Sequence, residues 1–271
     1  MGTITIRHAA VAGQFYPRNP EKLRADIRSF TRSQVEPIAA LGCVAPHAGY
    51  MYSGHVAGAV YARLKLPQTF IIMCPNHTGM GMPLSILSGG EWETPLGTVA
   101  VDGEIADQLK SRCALLSEDA SAHRYEHAVE VQLPFLQAQL DHFKFVPIAV
   151  GTSRFPGLKA LGDAVGDTVA QAAKPVLVIA SSDMNHYESD SLTRRKDARA
   201  IERMLALDSQ GLYEVVTSEN ISMCGYGPAV AMLIAAKILG AKSAELIKYA
   251  TSGDISGDRD AVVGYAGIVV S

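Results

Sequence analysis

Three short apolar runs in the sequence are each followed by a histidine. His47 lies in VAPHAGY (44–50), His77 in CPNHTG (74–79) and His186 in SSDMNHY (181–187). If these runs are strands of a parallel sheet, their carboxyl ends share one edge, and that edge is where open α/β sheets bind ligands. Imidazoles bind zinc, iron or copper and transfer protons near neutral pH. The pattern therefore predicts a metal centre or an acid/base centre at this edge.

His47 and His77 form the stronger pair of candidate metal ligands. Each follows a proline within two residues, so its loop is stiff and loses little freedom on ordering. We expect the two imidazoles at neighbouring strand ends. The alternative is that each only bonds loop backbone, but their parallel placement favours a metal role.

Asp183 and His186 stand three residues apart in the third loop. The carboxylate could orient the imidazole, or it could cap a helix that begins just beyond, and the sequence leaves both open for Asp183. For His186 a functional role is favoured.

The segment 123–130, HRYEHAVE, combines two histidines and two acids at a predicted helix start. His127 and Glu130 would share one helical face, but the pattern is not the His-Glu-x-x-His signature of zinc proteases. We interpret His123 as part of an exposed polar helix start.

Cys224 precedes a helix predicted from Pro228, and the field at a helix N-terminus favours the thiolate that binds metals or attacks electrophiles. No Cys-x-x-Cys spacing or disulfide framework is present, so the cysteines are expected to be reduced thiols. Buried cysteines are usually inert, and this is the interpretation for the other three: Cys43, Cys74 and Cys113.

Composition restricts the function further. The chain has 271 residues, 48% hydrophobic residues and a formal net charge of -3. This balance argues against nucleic acid or anionic membranes as partners and favours small molecules or proteins. No apolar stretch approaches the roughly 20 residues of a membrane span, and the N-terminus lacks the pattern of a signal peptide. We therefore expect a cytoplasmic protein.

Alternating strand and helix patterns predict an α/β fold, a single domain over residues 1–271 with a mainly parallel or mixed central sheet flanked by helices. Helices are predicted near 20–32, 54–64, 103–110, 128–140, 157–173, 191–207, 210–217 and 228–239. Strands are predicted near 41–45, 70–74, 84–88, 91–101 with a turn at 94–98, 145–150, 176–180, 245–250 and 262–269. Pro134 argues against an uninterrupted helix over 128–140.

Six motifs in order resemble the Memo family, of the type called protein B of AmmeMemoRadiSam systems. They are AGQFYP (12–17), PHAGY (46–50), PNH (75–77), EHAVEVQLP (126–134), SDMNH (182–186) and CGYGP (224–228). That family is similar in fold to the class III extradiol (LigB-type) dioxygenases, which hold non-haem iron with two histidines and a glutamate. The resemblance also implies a functional link to a radical-SAM protein.

By this resemblance His47 and His77 are the histidine ligands, Cys224 stands where the dioxygenases place their carboxylate, and His186 matches their acid/base histidine. A thiolate in place of glutamate favours thiophilic metals, so catechol cleavage does not carry over directly. The implied cofactor is iron(II), with copper or zinc as alternatives. A small molecule or peptide would occupy the cleft.

Three functions are compatible with these residues. The first is a metal-dependent, dioxygenase-like redox protein in which His186 transfers protons with Asp183 and His127 nearby. The second is a non-catalytic binding or scaffold module that keeps the cleft. The third, a metal-assisted hydrolase, is weaker because nothing in the sequence indicates its substrate. The sequence leaves open whether the protein is an enzyme, its substrate and its oligomeric state.

Overall fold

The computed structural model of the protein describes residues 5–271. Its sheet contains twelve strands: β1 (Ile6–Arg7), β2 (Gly42–Ala45), β3 (Thr69–Pro75), β4 (Leu84–Ile86), β5 (Glu91–Thr94), β6 (Gly97–Val101), β7 (Ser117–Glu118), β8 (Lys144–Val150), β9 (Val176–Ser181), β10 (His186–Glu188), β11 (Ala244–Thr251) and β12 (Val262–Val270). Nine α-helices accompany them within the same residues: α1 (Pro20–Phe30), α2 (Tyr50–Arg63), α3 (Gly103–Arg112), α4 (Leu133–Gln137), α5 (Phe155–Gln171), α6 (Asp190–Leu205), α7 (Ser209–Ser218), α8 (Tyr226–Ile238) and α9 (Gly253–Ser256).

The centre of the sheet is parallel and its margins are largely antiparallel. The strands follow the order β1-β5-β6-β8-β3-β9-β2-β12-β10, and β8, β3, β9 and β2 all run in the same direction. Antiparallel pairs join β5 to β6, β4 to β8, and β12 to β2, β10 and β11. The predicted mixed α/β sheet is confirmed.

Helices cover both faces of this sheet, as the near-continuous apolar central strands require. Along β9, Val176, Val178 and Ala180 pack on the face that holds α3 and α5 to α8. Leu177 and Ile179 alternate with them and pack on the face that holds α1, α2 and α4. The period of two thus divides one strand between two cores.

The structure differs from the sequence-based elements in several places. The segment 128–140 is not one helix, because a 3-10 turn at Glu130–Gln132 leads into the short helix α4. Pro134 lacks an N–H and fits only in the first turn of that helix, where the N–H would be free anyway. Strand β4 pairs with β8 and not with the hairpin of β5 and β6, while β1, β7 and β10 were not predicted.

No helix within residues 5–271 combines the length and apolar character needed to cross a membrane.

Candidate metal centre

Three adjacent parallel strands bring the candidate residues to one edge of the sheet. His47 lies two residues past β2, His77 two residues past β3, and Asp183 two residues past β9. Strand β9 lies between β2 and β3, so the expectation that His47 and His77 follow neighbouring strands is wrong. The loops nevertheless converge, and the His47 and His77 ring centroids are 5.1 Å apart.

A cleft of about 590 Å³ opens at this edge. It is lined by Phe15, His47, Ala48, Gly49, His77, His127, Asp183, His186, Tyr187, Ser222, Cys224 and Val263. All six residues that the sequence indicated as ligands or catalytic groups therefore face one cavity. The lining contains no lysine or arginine, so its charge comes from Asp183 and from any protonated histidine.

Hydrogen bonds determine which nitrogen of His47 carries the proton. Its Nδ1 lies 3.0 Å from the Ser181 hydroxyl oxygen, and that hydroxyl donates its only hydrogen to the Ala128 carbonyl at 2.6 Å. Ser181 must therefore accept from His47 Nδ1–H, which leaves Nε2 with a free lone pair. Burial of the ring lowers the pKa of His47 to about 3, so the imidazole is neutral.

A buried carboxylate holds His77. Glu126 accepts hydrogen bonds from the His77 backbone N–H at 2.6 Å and from Nδ1 at 2.9 Å. Although burial opposes ionisation of Glu126, its contacts with His77 lower its pKa to about 2. Burial likewise opposes protonation of His77, but Glu126 raises the pKa of His77 overall. The carboxylate fixes Nδ1 as the donor, and Nε2 is left for a metal.

Cys224 completes the set of candidate ligands. Its Sγ lies 3.2 Å from His47 Nε2, and one donor atom from each of His47, His77 and Cys224 lies within 4.8 Å of the others. Cys224 stands just before Gly225, the N-cap of α8, as the sequence indicated. Burial, reinforced by the charge of Asp183, raises the pKa of the thiol well above its ordinary value, which opposes the expected field of the helix.

His127 lies beside these ligands. Its ring stacks on His77 with centroids 4.7 Å apart and packs against Phe15 at 4.6 Å. Its Nδ1 is 3.3 Å from Glu126 Oε1. Burial and the neighbouring His47 lower the pKa of His127 to about 4, so it is neutral at physiological pH.

Asp183 and His186 have different partners from those the sequence indicated. Asp183 caps no helix; it accepts from the backbone N–H of His47 at 2.8 Å and of Ala48 at 3.3 Å, and so fixes the ligand loop. Burial raises the pKa of Asp183. His186 Nδ1 is 2.9 Å from the Ser222 carbonyl oxygen, which can only accept, so its neutral form keeps Nε2 free.

His123 contradicts its interpretation as an exposed helix start. It is fully buried in a 3-10 turn beside Trp92, with ring centroids 5.8 Å apart. Burial lowers the pKa of His123 to about 4, so the ring is neutral. His123 is not among the residues that line the cleft.

Sequence reasoning missed the residues that hydrogen-bond to the candidate ligands. Glu126, Ser181 and Gln132 hold the Nδ1 atoms of His77 and His47, with Gln132 donating to Ser181 at 2.8 Å. Two of them belong to the motif at 126–134, whose polar residues fall between apolar ones. Buried polar residues in an apolar run were the available signal.

Comparison with known proteins identifies the family of this chain. A family model described as Memo-like protein matches residues 7–269. The chain belongs to the Memo-like protein family. MEMO1 family proteins from Methanopyrus kandleri and Methanosarcina barkeri are 44% and 46% identical to it. The alignments cover 97% of this chain and 98% of the first relative, and 98% of this chain and 100% of the second.

A solved structure shares the fold of this Memo-like protein. The crystal structure of an uncharacterized protein from Escherichia coli K12 matches with a TM-score of 0.58 and 11% sequence identity. The match covers 84% of this chain and 98% of the other. At that identity the likeness shows the fold alone, and the chemistry has to be argued from the site.

The residues at the site fit a thiophilic divalent metal. His47 Nε2 and Cys224 Sγ lie 3.2 Å apart, and both residues line the same cleft, so one ion could contact both. Both imidazoles have Nδ1 occupied, so each can bind only through Nε2 without breaking a buried hydrogen bond.

Proposed function

We propose that this Memo-like protein is a metal-dependent redox protein whose ion is held by His47, His77 and Cys224. The observation that carries the proposal is the convergence of these three donor atoms within 4.8 Å in one cleft. Two nitrogens and one sulfur favour iron(II), copper or zinc over hard cations, and we propose iron(II) as the working metal. We also propose a cytoplasmic location.

A bound iron or copper ion would supply one-electron chemistry and a Lewis acid beside the substrate. His186 would accept or return a proton through Nε2, because its Nδ1 is committed to Ser222. Asp183 would keep the His47 loop in place through two backbone hydrogen bonds. His127 and Phe15 would form one wall against which a substrate packs.

The first test measures metal content. Protein prepared without oxygen should hold about one metal ion per chain by elemental analysis, as expected for a site with three protein ligands. His47→Ala and Cys224→Ala should lose it, because each removes one ligand. His142→Ala is the matched control, since His142 is exposed and lies outside the cleft. Equal metal content in all four proteins would refute the ligand assignment.

The second test separates redox function from a binding module. Protein loaded with iron(II) or copper would be exposed to oxygen and to a thiol reductant, and the metal's oxidation state would be followed by absorption and paramagnetic resonance. Cycling that is lost in Cys224→Ala is the expected result. A metal that binds fully but never changes oxidation state would favour the binding module.

A further inference from the structure

The loop that carries His186 contains a buried side-chain amide, that of Asn185, whose hydrogen-bonding groups are all occupied. Asn185 directly precedes His186 and is fully buried. Its backbone N–H donates to Asp197 at 2.8 Å, and its carbonyl accepts from Gly264 at 2.9 Å. These bonds tie the loop to α6 and to β12. The backbone of Asn185 is thus fixed before its side chain is considered.

The side-chain amide has one possible orientation. Its Nδ2 donates to Glu188 at 2.7 Å and to Thr193 at 3.3 Å. Lys196 bonds Glu188 and lowers the pKa of that carboxyl, so the carboxylate can only accept. The Oδ1 atom must therefore face Ser222, where it accepts from the backbone N–H and from the hydroxyl, both at 3.0 Å.

Ser222 passes this restraint on to His186. The Ser222 hydroxyl donates to Asn185 and accepts from the His186 backbone N–H at 2.7 Å. The Ser222 carbonyl accepts from His186 Nδ1 at 2.9 Å. Two residues further along, the same segment carries Cys224. One amide therefore connects the candidate proton-transfer group to the segment of a candidate metal ligand.

We propose that Asn185 is a positioning residue that acts through Ser222 to hold His186 as the Nδ1–H tautomer, with its free Nε2 facing the cleft. This inference rests on the proposed role of His186 in proton transfer. Asparagine suits the position because it supplies two donors on one side and an acceptor on the other. Leucine has a similar volume and supplies neither.

The test reads the tautomer of His186 in metal-free protein by nitrogen NMR of ring-labelled histidine, with the signal assigned from its loss in His186→Ala. Wild-type protein should show the Nδ1–H tautomer. Asn185→Leu should shift the ratio towards Nε2–H by about tenfold, as the loss of one net hydrogen bond allows. A folded Asn185→Leu protein with an unchanged ratio would overturn the proposal.

Two further variants keep the test decisive. Ser222→Ala removes the hydroxyl, which bonds both Asn185 Oδ1 and the His186 backbone N–H, at an exposed side chain, so this variant should fold. The Ser222 backbone N–H still bonds Asn185, so the ratio should shift in the same direction by a smaller factor than in Asn185→Leu, and an unchanged ratio would also overturn the proposal. Asn76→Leu is the matched control, because Asn76 precedes His77 and makes similar amide hydrogen bonds in its own loop. If the tautomer ratio of His186 shifted as much in Asn76→Leu as in Asn185→Leu, the effect would not be specific to Asn185, and the proposal would be refuted.

A parallel titration with cobalt(II) separates this inference from the proposed function. A missing sulfur-to-cobalt absorption band in wild-type protein would refute the metal site. It would leave the tautomer measurement standing, because that measurement uses protein without metal.

Discussion

Glu126→Gln is the most informative single substitution among the residues that hydrogen-bond to the candidate ligands. The Glu126 carboxylate is fully buried and accepts from the His77 backbone N–H, from His77 Nδ1 and from the Ala128 N–H. Glutamine keeps one accepting oxygen and replaces the other with an NH₂ group that can only donate. At least one of the donors in this cluster must then lose its partner.

The magnitude follows from the pKa of Glu126, about 2 against an ordinary 4.5. This difference corresponds to about 3 kcal/mol of unfolding free energy. Because the folded-state pKa is the lower one, the stabilisation is present above about pH 4.5 and is lost as the pH falls towards about 2. The raised pKa of His77 reports the same interaction from the partner's side and is not counted again.

Urea unfolding measures this contribution. Near neutral pH the variant should be about 3 kcal/mol less stable than wild type, and the gap should narrow steadily below about pH 4.5. Glu93→Gln is the matched control, because Glu93 makes an exposed pair with His8 Nδ1 at 2.7 Å. Its effect should be small at every pH, since exposed pairs contribute little.

The same variant should weaken metal binding. Where the new NH₂ group faces Nδ1, it favours the His77 tautomer with hydrogen on Nε2, the atom proposed to bind the ion. Where it faces the His77 backbone N–H, the loop that carries His77 loses a hydrogen bond. Loss of such a supporting hydrogen bond typically lowers metal affinity by roughly 10- to 100-fold. A competition titration with zinc or cobalt resolves a change of this size. Unchanged affinity together with unchanged stability at neutral pH would refute the role assigned to Glu126.

Three other substitutions test separate features. In Gly225→Ala the new Cβ would lie 2.4 Å from the Ser181 carbonyl oxygen, so the backbone beside the Cys224 thiol must shift. The affinity for cobalt should then fall about tenfold. Gly89→Ala is the control and should match wild type in the same titration, because no atom lies within 4 Å of its new Cβ. Burial raises the pKa of Asp197 to about 7. Because the folded-state pKa is the higher one, wild-type stability relative to Asp197→Asn should fall by about 4 kcal/mol in all as the pH rises from well below about 4 to well above about 7. Urea unfolding with the same pH dependence in both proteins would contradict this. Tyr187 is 77% exposed and has φ 60°, a left-handed backbone conformation that strains a residue with a Cβ. Tyr187→Gly should relieve this strain and raise the unfolding free energy by about 1 kcal/mol. A lower thermal midpoint would contradict this, because it would mean that contacts of the Tyr187 ring outweigh the strain.

Local patterns in the sequence were sufficient to predict most of the strands that position the site. The runs at β2, β3 and β9 are apolar and end at proline or at a polar loop, so both their existence and their shared direction could be inferred. Their spatial order could not, because β9 enters between β2 and β3 through pairing that no local pattern specifies. The shared strand direction was enough to predict that the histidines converge. The unpredicted position of β9 is why the expectation that His47 and His77 follow neighbouring strands was wrong.

The partners of those histidines were beyond local reasoning. Glu126 is 49 residues from His77 along the chain, and Ser181 is 134 residues from His47. Neither pair has a spacing that suggests contact, and Glu126 lies in a segment that the apolar periodicity assigned to a helix start. A buried polar residue indicates that some partner exists, but only the fold identifies it.

Cys224 shows how competing effects decide the state of the site. The field at the start of α8 stabilises a thiolate by at most about 2 kcal/mol, because it comes from partial charges and fades within one turn. Burial acts on the full charge of the thiolate, and the carboxylate of Asp183 adds repulsion, so the thiol stays protonated in the metal-free protein. It can then donate to the free lone pair of His47 Nε2 at 3.2 Å, which links the two ligands before any ion arrives. An incoming metal must displace that proton, so its affinity is set by how the ion's charge compensates the thiolate in the buried cleft, and it increases with pH.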